Sequence, residues 1–153
     1  MADNAPTAHA SAVLAGARAV LIRGAAGSGK SRLALAIIDA AQTGLLPFAR
    51  LVGDDRVHLS ACHGRLLVAP AEALVGCIEV RGLGIRRLEH EPAAVVGHVV
   101  DLAAADAERL PAAGDCEICG VRLPRLAVTA GAEALPAVIA ALTTTAAEIK
   151  PAS

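Results

Sequence analysis

The stretch "RGAAGSGKSR", Arg23 to Arg32, spells G-x-x-x-x-G-K-S from Gly24 to Ser31, and what surrounds it decides how it is read. "ARAVLI" (Ala17 to Ile22) reads as a short buried strand entering it, and "SRLALAIIDAA" (Ser31 to Ala41) as a helix leaving it, with Leu33, Ile37 and Ala40 on one face. Strand, glycine turn and helix together make a phosphate loop. Gly24, Gly27 and Gly29 let the backbone turn, so that across Ala25, Ala26 and Ser28 the successive N–H groups and the helix N-terminus point at phosphate oxygens. Lys30 supplies the charge that reaches the β and γ phosphates. Ser31 offers a hydroxyl to the magnesium ion that travels with ATP or a similar nucleotide.

Composition narrows the class. The 153 residues are most simply one domain, 1–153, with loose ends at 1–7 and 151–153. Hydrophobic residues make up 55% of the chain, with a single Phe and no Trp or Tyr, so the core must be built from Ala, Val, Leu and Ile. No long apolar run is free of charge or Gly and Pro punctuation, and the apolar N-terminal stretch leads into the loop without a basic region or cleavage site. A cytoplasmic protein with no membrane contact is expected. A net charge of −1 and the lack of stacking aromatics leave no footprint for nucleic acid. "CEIC" places Cys116 and Cys119 in a C-x-x-C, but a second pair is missing and the segment reads as a strand with the thiols on opposite faces. Buried free thiols are expected there, not a metal site.

Downstream, "ARLVGDDRVHLSACHGRLLVA" (Ala49 to Ala69) suggests a strand, a tight acidic turn and a hairpin closing near His63 and Gly64. "AVVGHVVDL" (Ala94 to Leu102) and "EICGVRLPRLAV" (Glu117 to Val128) read as further strands, and Gly131 to Ile149 as a helix with Pro136 near its start. The predicted class is α/β, a mixed sheet with hairpins and flanking helices. A phosphate loop needs a carboxylate near the metal and a group that activates the attacking hydroxyl. Asp54 and Asp55 can divide that labour, the alternative being a pair of solvated turn acids. In "CIEVRGLGIRRL", Glu79 and Arg81 flank a Gly82-Leu83-Gly84 bend; an acid and a base one residue apart on one strand face suit a metal and phosphate site.

Taken together, His9, "GAAGSGKS", "LVGDDRV" and "IEVRGLGI" resemble the catalytic domain of HPr kinase/phosphorylase, in the short form that lacks the family's N-terminal domain. The resemblance implies a fold related to phosphoenolpyruvate carboxykinase around the nucleotide, ATP and Mg²⁺ as cofactors, and a serine of the phosphocarrier protein HPr as acceptor. It also implies a homo-oligomer, since the family tends to hexamers. By position, Lys30 matches the phosphate-binding lysine, Ser31 and Glu79 the magnesium ligands, and His9 the histidine ahead of the loop implicated in catalysis. Asp55, with Asp54 beside it, matches the proton acceptor in phosphorylation and proton donor in the reverse reaction. Arg109 in "AERLP" looks like the family's active-site arginine. Where the family continues with a Gly-Arg-Asn segment linked to dephosphorylation, this chain reads "AVTAGAEALPAV" (Ala127 to Val138), so forward transfer is expected and the phosphorylase direction slow or lost.

Two other readings use the same loop. A small-metabolite kinase would need a substrate pocket, and no basic or aromatic cluster between Val57 and Leu102 marks one. A nucleotide-sensing module without turnover could manage with fewer acids than Asp54, Asp55 and Glu79.

Overall fold

A computed structural model of the chain describes residues 6–108 and 114–147. The chain opens as a hairpin: β1 (Ala10–Ala15) turns at Gly16, whose φ is 70°, and returns antiparallel as β2 (Arg18–Arg23). β2 feeds the glycine loop and α1 (Lys30–Gln42), after which β3 (Ala49–Gly53) pairs antiparallel with the free side of β1. β4 (Val57–Cys62) and β5 (Arg65–Pro70) form the expected hairpin, turning through His63 and Gly64 at φ 51° and 76°. β6 (Cys77–Val80) and β7 (Gly84–Arg87) make a separate two-stranded ribbon. β8 (Ala94–Asp101) then runs parallel to β2, and the hairpin β9 (Asp115–Ile118) with β10 (Val121–Ala127) places β10 parallel to β8. α2 (Leu135–Thr143) follows.

The result is a mixed α/β fold on an eight-stranded sheet, ordered β3-β1-β2-β8-β10-β9, with the β4–β5 hairpin joined to the start of β8 through β5. Its central strands are covered on both faces, which is why "AVLI" is apolar at every position instead of alternating. Val20 and Ile22 join Leu33, Ile37 and Val138 of the two helices in one core cluster. Ala19 and Leu21 fall in a second cluster with Val57, Leu66 and Val68 of the β4–β5 hairpin. The largest fully buried side chains are Leu and Ile, as the lack of aromatics requires.

Three expectations change. "CEICGVRL" is not one strand: Cys119 and Gly120 lie in the left-handed region, at φ 52° and 78°, and turn the chain from β9 into β10. Cys116 therefore sits in a strand and Cys119 in its turn, and the thiols are free but not buried, Cys62 and Cys119 being exposed. Second, α2 is shorter than Gly131 to Ile149. Pro136 falls within its first turn, where a missing N–H costs nothing, and Thr144 is already extended, with β-branched Thr143, Thr144 and Thr145 favouring that exit. Third, β1 was not anticipated. Among the described residues no helix is long and apolar enough to cross a membrane.

Candidate active site

The site is organised by the turn after β3. A Cβ on Gly53 would stand 2.7 Å from Val57 Cγ1 and 3.2 Å from Pro70 Cα, so only glycine lets the chain pass here. The Arg56 N–H then bonds the Asp54 carbonyl at 2.7 Å, bridging Asp55, whose φ is 67°. The left-handed region costs an ordinary residue about 1–2 kcal/mol, less for an aspartate that can bond locally. What the turn achieves is to send two neighbouring carboxylates in opposite directions. Asp54 is 3% exposed, whereas the Asp55 side chain is 53% exposed.

Asp54 draws four segments together. Its Oδ1 accepts from Ser11 Oγ of β1 at 2.6 Å, and Ser31 Oγ in the first turn of α1 lies 2.7 Å from Oδ1 and 2.9 Å from Oδ2. Its Oδ2 also accepts the backbone N–H of Glu79 in β6 at 3.1 Å, and Ser11 Oγ in turn accepts the Asp55 N–H at 3.3 Å. Among the described residues no cation pairs with Asp54. Neutral donors orient a buried carboxylate without supplying a countercharge, and a buried carboxylate charge is costly unless a cation joins it. Hard oxygen donors of this kind, a carboxylate beside a serine hydroxyl, fit magnesium.

Asp55 faces solvent and meets His9, whose Nε2 lies 2.7 Å from Oδ1. With Asp55 ionised, His9 Nε2–H is the donor. The glycine loop runs alongside: buried Lys30 donates through Nζ to the carbonyls of Gly24 at 2.8 Å and Ala25 at 3.2 Å, and Leu33 N–H bonds Gly29 O, so α1 begins at the loop. A Cβ on Gly24 would collide with Ser28 Oγ at 2.4 Å. Ala25, Ala26 and Gly27 are exposed along the loop's outer edge.

The expected residues are thus gathered unevenly. His9, Lys30, Ser31, Asp54 and Asp55 converge, and Glu79 arrives through its backbone with its side chain exposed. Arg81 does not share a strand face with Glu79: β6 ends at Val80, and Arg81 enters a turn closed by Leu83 N–H to Val80 O at 2.9 Å, because Gly82 and Gly84 take left-handed conformations. Arg81 makes no hydrogen bond or ion pair within the described residues. Arg109 lies outside them. Ser11 was missed; the apolar run ending at Gly16, followed by another, is the hairpin signal that would have found it.

A second charged group was also missed. Arg23, the residue before the loop, donates through Nε and Nη2 to the two oxygens of Asp101 at 2.7 and 2.8 Å. Arg125 donates Nε to Asp101 at 2.5 Å and grips Asp106 with both terminal nitrogens. Burial pushes the Asp101 carboxyl up, but hydrogen bonds and charge from Arg23 and Arg125 outweigh it and hold the group below the usual carboxylate range. The bond to Asp101 raises the Arg23 guanidinium, and the bonds to Asp106 and then to Asp101 raise that of Arg125. On the opposite face of β8, burial pushes His98 down.

No protein-family model matches the sequence, and no curated protein does. Among solved structures the fold is similar to that of the Hpr(Ser) kinase/phosphatase from Coxiella burnetii, with a TM-score of 0.72 and 26% identity, covering 90% of this chain and 93% of that one. The resemblance carried by the loop, the paired aspartates and the "IEVRGLGI" string therefore extends to the whole architecture: in its sheet and two helices this chain is similar to an HPr(Ser) kinase/phosphatase, over a span consistent with a catalytic domain.

Proposed function

We propose that the chain is a single-domain serine kinase that transfers the γ-phosphoryl group of ATP to HPr in the cytoplasm, around a nucleotide site of the phosphoenolpyruvate carboxykinase type. The observation that carries this reading is the opposed pair at the turn, one carboxylate buried against Ser31 and the other exposed against His9. Coarser support comes from the likeness to a kinase/phosphatase.

Each residue then has a task. The loop N–H groups and Lys30 hold and neutralise the β and γ phosphates. Ser31, with Asp54 behind it and Glu79 beside it, would hold Mg²⁺, which bound with the nucleotide lowers the charge repelling an incoming hydroxyl. Asp55 takes the serine proton as the serine Oγ–P bond forms and the bond to the β-phosphate oxygen breaks, releasing ADP. His9 keeps the Asp55 carboxylate oriented toward solvent, where a protein substrate approaches. The reverse reaction must bring phosphate up to phosphoserine, two anions, and "TAGAEA" (129–134) offers Glu133 in place of a cation. Phosphorolysis is accordingly slow.

The test is transfer of labelled phosphate from ATP to purified HPr, compared with HPr whose acceptor serine is alanine, in parallel with a panel of hydroxyl metabolites. Label on wild-type HPr alone is the expected result. Label on a metabolite, or on nothing, would overturn the proposal.

A further inference from the structure

Between the glycine loop and the ends of β8 and β10 lies an open cleft of about 270 Å³ whose lining includes none of Asp54, Asp55 and Lys30. Gly27 and Ser28 border it on the loop side, and the turn 129–132 on the other. Its apolar base is Leu102 and Val128, both largely buried. Backbone bonds fix these walls to each other: Leu102 N–H to Arg23 O, Val128 N–H to Asp101 O and Ala104 N–H to Val128 O are all 2.9 Å, and Ala132 N–H closes the turn onto Thr129 O at 3.1 Å. The cleft is therefore built before any ligand arrives, which lowers the ordering cost of binding.

Its chemistry is selective by omission. Among the described residues no charged side chain lines it, so an anion would find none of them to offset its charge. The lining side chains among the described residues are small or aliphatic apart from two hydroxyls, that of exposed Thr129 and that of Ser28, whose Oγ is turned inward toward Gly24. A flat, neutral heteroaromatic ring suits such a place, presenting apolar faces to Leu102 and Val128 and acceptor atoms at its edge. The volume is close to the lower end of the roughly 300–1,000 Å³ of small-molecule pockets. Gly27 belongs both to the cleft and to the phosphate loop, so a ligand whose phosphates follow the loop has its other end here.

We propose that this cleft takes the nucleoside of the phosphoryl donor, and that the segment 128–132 is a nucleoside wall and not a phosphate site. The inference rests on the nucleotide-binding part of the proposed function and not on the acceptor. Ala130 and Ala132 are exposed lining positions, so Ala130→Trp and Ala132→Trp fill the cleft without disturbing the core. Calorimetric titration with Mg·ATP and with Mg·tripolyphosphate separates the nucleoside from the phosphates, and a thermal melt checks folding. Wild type should bind ATP more tightly than tripolyphosphate, and each variant should lose tenfold or more in ATP affinity while keeping its affinity for tripolyphosphate. Equal affinity of wild type for the two ligands overturns the proposal, as does equal weakening of both ligands, or of neither, in both folded variants. A protein that gives the expected titrations but leaves HPr unlabelled would sink the acceptor assignment and keep the cleft.

Discussion

The two charged groups beside the glycine loop solve the same problem in opposite ways. Asp101 is matched by Arg23 and Arg125, so its charge is cancelled within the fold. Asp54, more deeply buried, has only Ser11, Ser31 and a backbone N–H, which orient a carboxylate without cancelling it. The first arrangement is complete as it stands and reads as a clamp joining the ends of β2, β8 and β10. The second is electrostatically open, and under the proposed function a metal·nucleotide would complete it. Uncompensated charge, more than the number of charges, separates the candidate site from the scaffold.

The largest effect should come from the exposed partner of the open pair. Asp55→Asn keeps shape and tolerates the left-handed backbone but cannot take a proton, so transfer to HPr should fall by roughly 10²- to 10⁴-fold while ATP affinity stays near wild type. Transfer kinetics beside an ATP titration check this, and a near-normal rate would remove Asp55 as the base. Asp101→Asn comes next, because it leaves two guanidinium groups without their shared anion. A loss of roughly 2–3 kcal/mol in urea unfolding is expected, below the roughly 3–5 kcal/mol for breaking a fully buried pair because this one is partly solvated. The effect has a pH signature. Because the folded-state pKa of Asp101 is depressed, its contribution is full above the ordinary carboxylate range and is lost as pH falls below about 4. The Asn variant should therefore show a smaller further loss over that acid window, and an unchanged acid profile would mean Asp101 is not the group responsible.

Asp54→Asn should have the smallest effect on stability, within about 1 kcal/mol of wild type or slightly stabilising without ligand, since a buried charge is exchanged for a neutral group. What it should lose is the rise in melting temperature on adding Mg·ATP. If it unfolds as readily as Asp101→Asn does, the contrast between the two sites fails.

Much of this was legible where the signal is local. The strand, glycines and helix of the loop lie within one stretch, and Leu33, Ile37 and Ala40 are buried as the 3.6-residue period requires. The β4–β5 turn announced itself through His63 and Gly64. The paired aspartates could be named, but not their opposed directions, which depend on a positive φ at Asp55 that an aspartate does not advertise. Arg81 was misplaced because two glycines were read as a bend within a strand when they end it. β1 was hidden by its composition, since Ala and Ser carry little strand signal of their own. The Arg23–Asp101 clamp was beyond reach, because its members are 78 residues apart and nothing in either neighbourhood points to the other.

That separation has a consequence for how the molecule comes into being. The half of the site that holds His9 and Ser11 reaches β2 through a hairpin closed by Gly16, a contact of short sequence range. The other edge of β2 has no neighbour until β8 has been synthesised, and the cleft wall after β10 comes later still. Closing so long a loop before its contacts repay the entropy makes such parallel pairing slow. During synthesis the glycine loop therefore precedes β8 and the cleft wall while β2 still has one edge open, and the two ends of the proposed nucleotide site take shape at different times.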